Sequence, residues 1–184
     1  VDSRVDIPDK KVYLSGGLYS KENHIDINGM YSFSKISTQE DFDVNNAAFK
    51  KLVQTMQAKG TILDATLAIY QHARFDTTIF QQGVDLTILA YKNKVKIGVG
   101  TDMSINEKDE VLPLLKEMEI LVNQVGMTNM EVLKAATIIN AEMIGKEKLI
   151  GTLIPGKQAN IIVLDKNPLT DMHHVNSVKY VFKK

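Results

Sequence analysis

The sequence predicts an α/β chain in which helices alternate with strands, giving way near the end to a small unit of strands alone. Three observations predict it. Lys96-Ile-Gly-Val-Gly-Thr-Asp102 is a short apolar run closed by glycines, a hydroxyl and a carboxylate, the pattern of a buried strand in a parallel sheet. Two capping-box spacings, Ser104–Glu107 and Thr128–Glu131, announce helices after that strand. From Ile150 onward the chain reads as strands separated by turns, with no helical period between them.

Taken in order, Lys11–Ser15 reads as a short strand before a turn at Gly16-Gly17, and His24–Met30 alternates polar and apolar residues as a second strand would. Ser34–Asp43 is polar and reads as a loop. A helix is expected to start near Asp43 or Asn45, both good N-caps, with Phe49, Leu52, Val53 and Met56 as its buried stripe and Gly60 at its end. Thr61–Ile69 is rich in β-formers and is predicted to be a strand. Short helical stretches follow at Ala68–Arg74 and Asp85–Asn93.

Beyond the Asp102 strand, Leu115, Met118, Val122 and Val125 fall on one helical face closed by Gly126. The Thr128 capping box opens another helix, with Val132, Ala136, Ile139 and Met143 as its buried face and Gly145 as its stop. Pro155-Gly156 marks a turn. Ala159–Asp165 and Val175–Phe182 are predicted as strands, and the change in pattern places a boundary near Lys146–Gly151.

Asp102 is the residue of greatest chemical interest. Parallel α/β folds place reacting groups at the C-terminal ends of strands. A carboxylate there can bind a metal, accept a proton, or do both, and the plain alternative is a loop aspartate that caps the next segment. Asp64 and Thr66 share a side of the preceding strand under period-two alternation. They are candidates to meet substrate, or else a hydrogen-bonded pair that supports the strand end. Gly16-Gly17 lacks the spacing of a dinucleotide or phosphate loop and is given a turn role.

Val99-Gly-Thr-Asp102, Gly126–Thr137, Asn140–Gly145, Ile150–Asp165 and Asn167-Pro168 occur in an order that resembles the C-terminal part of the amidohydrolase superfamily. The resemblance is to its imidazolonepropionase-like and prolidase-like metal hydrolases in particular. It implies a TIM-like (β/α)8 barrel of which residues 1–148 are the last βα units, with residues 149–184 forming part of a small composite β-domain. It implies hydrolysis of a C–N bond in an amide, a cyclic amide or a dipeptide-like substrate. A divalent metal, zinc by default, activates water in such enzymes, and a carboxylate at the position of Asp102 touches the metal and carries the proton to the leaving group.

The remaining metal ligands of that family are harder to find. Relatives use a His-x-His pair, and none occurs here; the four histidines are His24, His72, His173 and His174. His24 is the candidate for the ligand of the sixth barrel strand, although Ile27-Asn28 is followed by Gly29, where a donor side chain is expected. Asp64-Ala65-Thr66-Leu67 stands where relatives often carry Asp-Pro-Thr-Leu. His72 is expected on a helix, and His173-His174 exposed in the β-domain, where adjacent residues cannot chelate together.

Such relatives are longer than 184 residues. The chain is therefore expected to be one part of an enzyme, completed by a missing N-terminal part or by a second copy. A rival expectation is a catalytically inert half-barrel that docks on a partner chain, since a partial barrel exposes sheet edges. Lys and Arg number 22 and Asp and Glu 22, so zero net charge argues against nucleic acid or an anionic membrane surface as partner. No apolar run approaches the roughly 18 residues of a spanning helix. With no cysteine there is no disulfide and no thiolate metal site. Cytoplasm and periplasm both remain open.

Overall fold

A computed structural model describes residues 13–15, 43–71, 77–104 and 111–184. The expected turn at Gly16-Gly17, the strand at His24–Met30, the loop before Asp43 and the capping box at Ser104–Glu107 lie outside the described residues. The chain divides into two units, Val1–Ile97 and Gly98–Lys184.

In the first unit, β1 (Tyr13–Ser15) pairs in parallel with β2 (Ile62–Asp64), with Tyr13 opposite Ile62 and Ser15 opposite Asp64. Between them in sequence lies α1 (Ala47–Lys59). Its entry is built by Asp43, whose Oδ1 accepts from the Asn45 N–H at 2.8 Å and whose carbonyl accepts from the Asn46 N–H at 2.9 Å. Asn and Asp favour such turns because their short side chains substitute for a backbone acceptor. The helix therefore starts two residues beyond Asn45. Phe49, Val53 and Met56 are buried as the spacing predicts, and Leu52 is half-buried.

The α1 helix stops at Gly60, whose φ of 66° takes the chain out of the helix. The Gly60 N–H then donates to Gln57 O at 3.1 Å and the Thr61 N–H to Met56 O at 2.9 Å, a paired closure that satisfies carbonyls of the last turn.

The predicted strand Thr61–Ile69 is extended only over Ile62–Asp64. Thr66 has φ 49°, which no strand can accommodate, and Leu67–Gln71 then winds into a 3-10 segment with Leu67, Ala68 and Tyr70 buried. The short helix expected from Ala68 is this segment. The helix expected at Asp85–Asn93 starts eight residues earlier and ends one residue sooner: α2 runs Thr77–Lys92. It ends at Lys94 (φ 63°), and β3 (Lys96–Gly98) completes a sheet of order β1-β2-β3.

In the second unit, α3 (Pro113–Ile120) continues directly into a π-helical turn over Leu121–Val125 and stops at Gly126, φ 84°. Proline at the first helical position loses no bond, since that N–H has no partner in the helix. Leu115, Met118, Leu121 and Val125 are buried, with Val122 half-buried.

The capping box at Thr128 is formed in full. Glu131 N–H donates to Thr128 Oγ1 at 3.3 Å, and the Thr128 N–H donates to Glu131 Oε2 at 2.8 Å. The helix that follows is α4 (Asn129–Lys134), a second π-helical turn over Ala135–Ile139, and α5 (Asn140–Met143). The π turns shift the predicted faces. Val132 is buried, but Ala135 and Ala141 take the places expected for Ala136, Ile139 and Met143, which are half-buried. A π turn accommodates one residue more than an α turn, so a strict 3.6-residue period fails across it.

Beyond Gly145 the chain crosses the last helix at Gly151 and then forms β4 (Ile161–Leu164) and β5 (Val178–Phe182). These pair antiparallel, Ile161 opposite Phe182, with an irregularity between Val163 and Leu164. The predicted strands are both real and slightly shorter; Val175 belongs to a 3-10 segment, Met172–Asn176. Every residue of β5 is exposed. The passage from helices to bare strands thus lies within the second unit. Among the described residues, no helix is long and apolar enough to cross a membrane.

Candidate active site

Asp102 lies in the second unit, four residues beyond the last residue of β3. Ile97 and Val99 are buried, at 2% and 4% exposure, so the chain leaves the interior at Gly100 and delivers Asp102 to the surface, where it is exposed. Its φ is 49°. Aspartate is among the few residues that adopt the left-handed region without a large penalty, because its short side chain meets the backbone less severely than a branched one. Thr101 supports the turn: its Oγ1 accepts from the Met103 N–H at 3.2 Å. Asp102 is therefore placed by a turn after the strand, rather than by the strand tip itself.

The upstream anchor of that turn is a residue that the sequence alone did not single out. The Val99 N–H donates to Asn140 Oδ1 at 2.9 Å, and Asn140 Nδ2 donates to Val99 O at 2.8 Å. One carboxamide thus satisfies both backbone groups of one residue, as a neighbouring strand would. An Asn is a weak helix former, so its position inside an apolar-periodic run, between Ile139 and Ala141, was the available signal.

Asp64 and Thr66 lie in the first unit. Asp64 is the last residue of β2 and is half-buried; Thr66, at 4% exposure, lies two residues past the strand with φ 49°. The expected strand alternation that would put both on one side stops at Asp64, because Thr66 has left the extended region. His24 and His72 lie outside the described residues.

His173 and His174 occupy the 3-10 segment before β5. His173 Nδ1 is 3.0 Å from Glu119 Oε1 on α3, and His174 Nδ1 is 2.8 Å from the Asn167 carbonyl. A carbonyl can only accept, so Nδ1 of His174 carries the proton. The two rings have separate partners, and His174 is half-buried where exposure was expected for both.

Among the described residues, no group of three or more His, Cys, Asp or Glu side chains is arranged to hold a metal ion. A divalent ion needs several donors, so the described residues do not by themselves fit one, and Asp102 offers a single carboxylate.

Comparison with known proteins points one way. The amidohydrolase family profile matches residues 21–184. The chain is 33% identical over 98 residues to guanine deaminase of Escherichia coli (strain K12), a match covering 51% of this chain and 22% of that protein. It is 34% identical over 93 residues to imidazolonepropionase of Geobacillus kaustophilus (strain HTA426), covering 48% and 22%. Among solved structures it is similar to a Xaa-Pro dipeptidase crystallised with methionine in the active site, at a TM-score of 0.60 and 25% identity over 72% of this chain and 36% of that one. These matches thus cover about a fifth of each curated relative and about a third of that solved structure.

Proposed function

The chain belongs to the amidohydrolase family, and from that premise we propose that it is the C-terminal portion of a hydrolase that cleaves a C–N bond. The supporting observation is that the family match runs through the segment where β3 ends, the chain turns and Asp102 is exposed. Guanine deaminase and a Xaa-Pro dipeptidase are both named for breaking a bond to nitrogen. The substrate proposed is correspondingly a small amide, a cyclic amide or a dipeptide-like molecule.

In this reading Asp102 is the proton carrier. Water attacks the electrophilic carbon, the carboxylate takes a proton from that water, the C–N bond breaks, and the same proton goes to the leaving nitrogen. General acid–base transfer of this kind contributes about 10²–10⁴ in rate. Asp64, half-buried at the end of β2, is a proposed substrate contact; Thr66 is buried and is not proposed as one. A TIM-like barrel and a divalent ion, zinc first among the candidates, are proposed for the intact protein only. The ion's donors besides Asp102 would have to come from outside the described residues, His24 among them.

The test uses the intact protein. Xaa-Pro dipeptides, N-acyl amino acids and guanine are assayed for release of amine or ammonia, and the purified protein is analysed for bound metal. Turnover that falls on Asp102→Asn supports the reading. Turnover that is untouched by Asp102→Asn, or no turnover of any of these, removes it.

A further inference from the structure

We propose that Asn140 is a positioning residue for this reaction, acting on Asp102 through Val99. The inference rests on the reading of Asp102 as proton carrier. Val99 is the first residue past β3, and both its backbone groups are held by the Asn140 carboxamide, at 2.9 and 2.8 Å. The residue after Val99 is Gly100, which has no side chain to limit its backbone, so Asp102 would sample many directions if Val99 were loose. The turn is closed on the far side by the Met103 N–H on Thr101 Oγ1. Asp102 thus sits between two side-chain anchors, one at Val99 and one at Met103.

The way Asn140 reaches Val99 also has a specific cause. It is the residue immediately after the π-helical turn Ala135–Ile139. The extra residue in that turn changes the direction in which position 140 points, by roughly 100° relative to an uninterrupted α-helix. Local π turns of this kind recur where a side chain must be re-aimed at a functional site.

The test is a double-mutant cycle with Asn140→Asp and Asp102→Asn, read on the best substrate of the panel above. Asn140→Asp keeps the shape of the side chain and loses the donor to Val99 O, placing two acceptors face to face. Misplacement of a reacting group by about 1 Å costs about 10²-fold, so kcat is expected to fall about 10–100-fold with KM little changed. Amide exchange at Val99 is expected to rise about tenfold or more in Asn140→Leu, which has neither hydrogen-bonding group. In the Asp102→Asn background, Asn140→Asp is expected to cost little further rate, because its effect passes through the carboxylate already removed.

Unchanged Val99 exchange in Asn140→Leu would show that the two bonds do not hold the strand end. Faster exchange with unchanged kcat would make Asn140 purely structural, as would a full further loss of rate in the Asp102→Asn background. Each of these overturns the proposal while leaving the hydrolase reading standing. Full activity of Asp102→Asn alone is the separate result that removes the hydrolase reading, and a positioning role goes with it. If Asn140→Asp does not fold, Asn140→Leu, which has similar volume and neither hydrogen-bonding group, replaces it in the same cycle.

Discussion

Thr66 and Asp102 share one backbone angle: each has φ 49°, and each lies a few residues past the end of a strand, Thr66 after β2 and Asp102 after β3. The left-handed region costs a non-glycine residue about 1–2 kcal/mol, and a β-branched threonine is an outlier there. Strain of this kind persists only where the surrounding structure holds it, and it collects at functional sites.

At Thr66 the usual ranking of alanine above glycine is expected to reverse. Both Thr66→Ala and Thr66→Gly lose the buried side chain, but only glycine escapes the left-handed penalty. Thr66→Gly is expected to be more stable than Thr66→Ala by about 1 kcal/mol, measured by urea denaturation of the two variants. Equal stability, or alanine ahead, would mean that the strained φ is absent in solution.

Asp102→Asn is expected to separate chemistry from folding. Asparagine adopts the left-handed region as readily as aspartate, so the turn survives and Tm is expected to change little. Turnover is expected to drop about 10²–10⁴-fold. Circular dichroism and a rate measurement on one preparation check both halves of the expectation.

Gly151 is expected to tolerate no side chain. A Cβ built there lies 2.9 Å from both Ala141 Cβ and Ile138 Cα and 3.1 Å from Thr137 O, and the residue has φ 92°. Two of those three contacts are with helix backbone, which cannot step aside. Gly151→Ala therefore combines left-handed strain of about 1–2 kcal/mol with a displacement of the last helix. A large fall in Tm is expected, and a variant as stable as the parent would contradict the close crossing of chain and helix.

Thr128→Ala removes the side-chain acceptor for the Glu131 N–H and the hydroxyl that donates to Glu131 Oε2 at 2.7 Å. The expected loss is about 1 kcal/mol, the usual cost of deleting a threonine N-cap. Thr128→Ser keeps both groups and is expected to recover most of it, as read from denaturation midpoints.

Much of the fold was legible in the sequence because its signals are local. The Thr128–Glu131 capping box, the helix stop at Gly60 and the two C-terminal strands each depend on residues a few positions apart. The helix faces were legible only as far as the period stayed regular. Across Ala135–Ile139 the π turn moved the buried positions to Ala135 and Ala141, and no residue type marks such a turn in advance. The strand predicted over Thr61–Ile69 is shorter in the structure for a related reason: β-forming residues state a preference, and Thr66 and the 3-10 segment after it override that preference.

By itself the sequence determined the alternation of helices and strands, the later switch to strands alone, and the presence of a single carboxylate after a glycine-rich strand end, since capping, turn chemistry and hydrophobic period act over one or two turns of chain. Only the tertiary structure decided how that carboxylate is held. Asn140 meets Val99 across 41 residues of chain, through two hydrogen bonds whose formation depends on where a helix with an irregular turn finally packs.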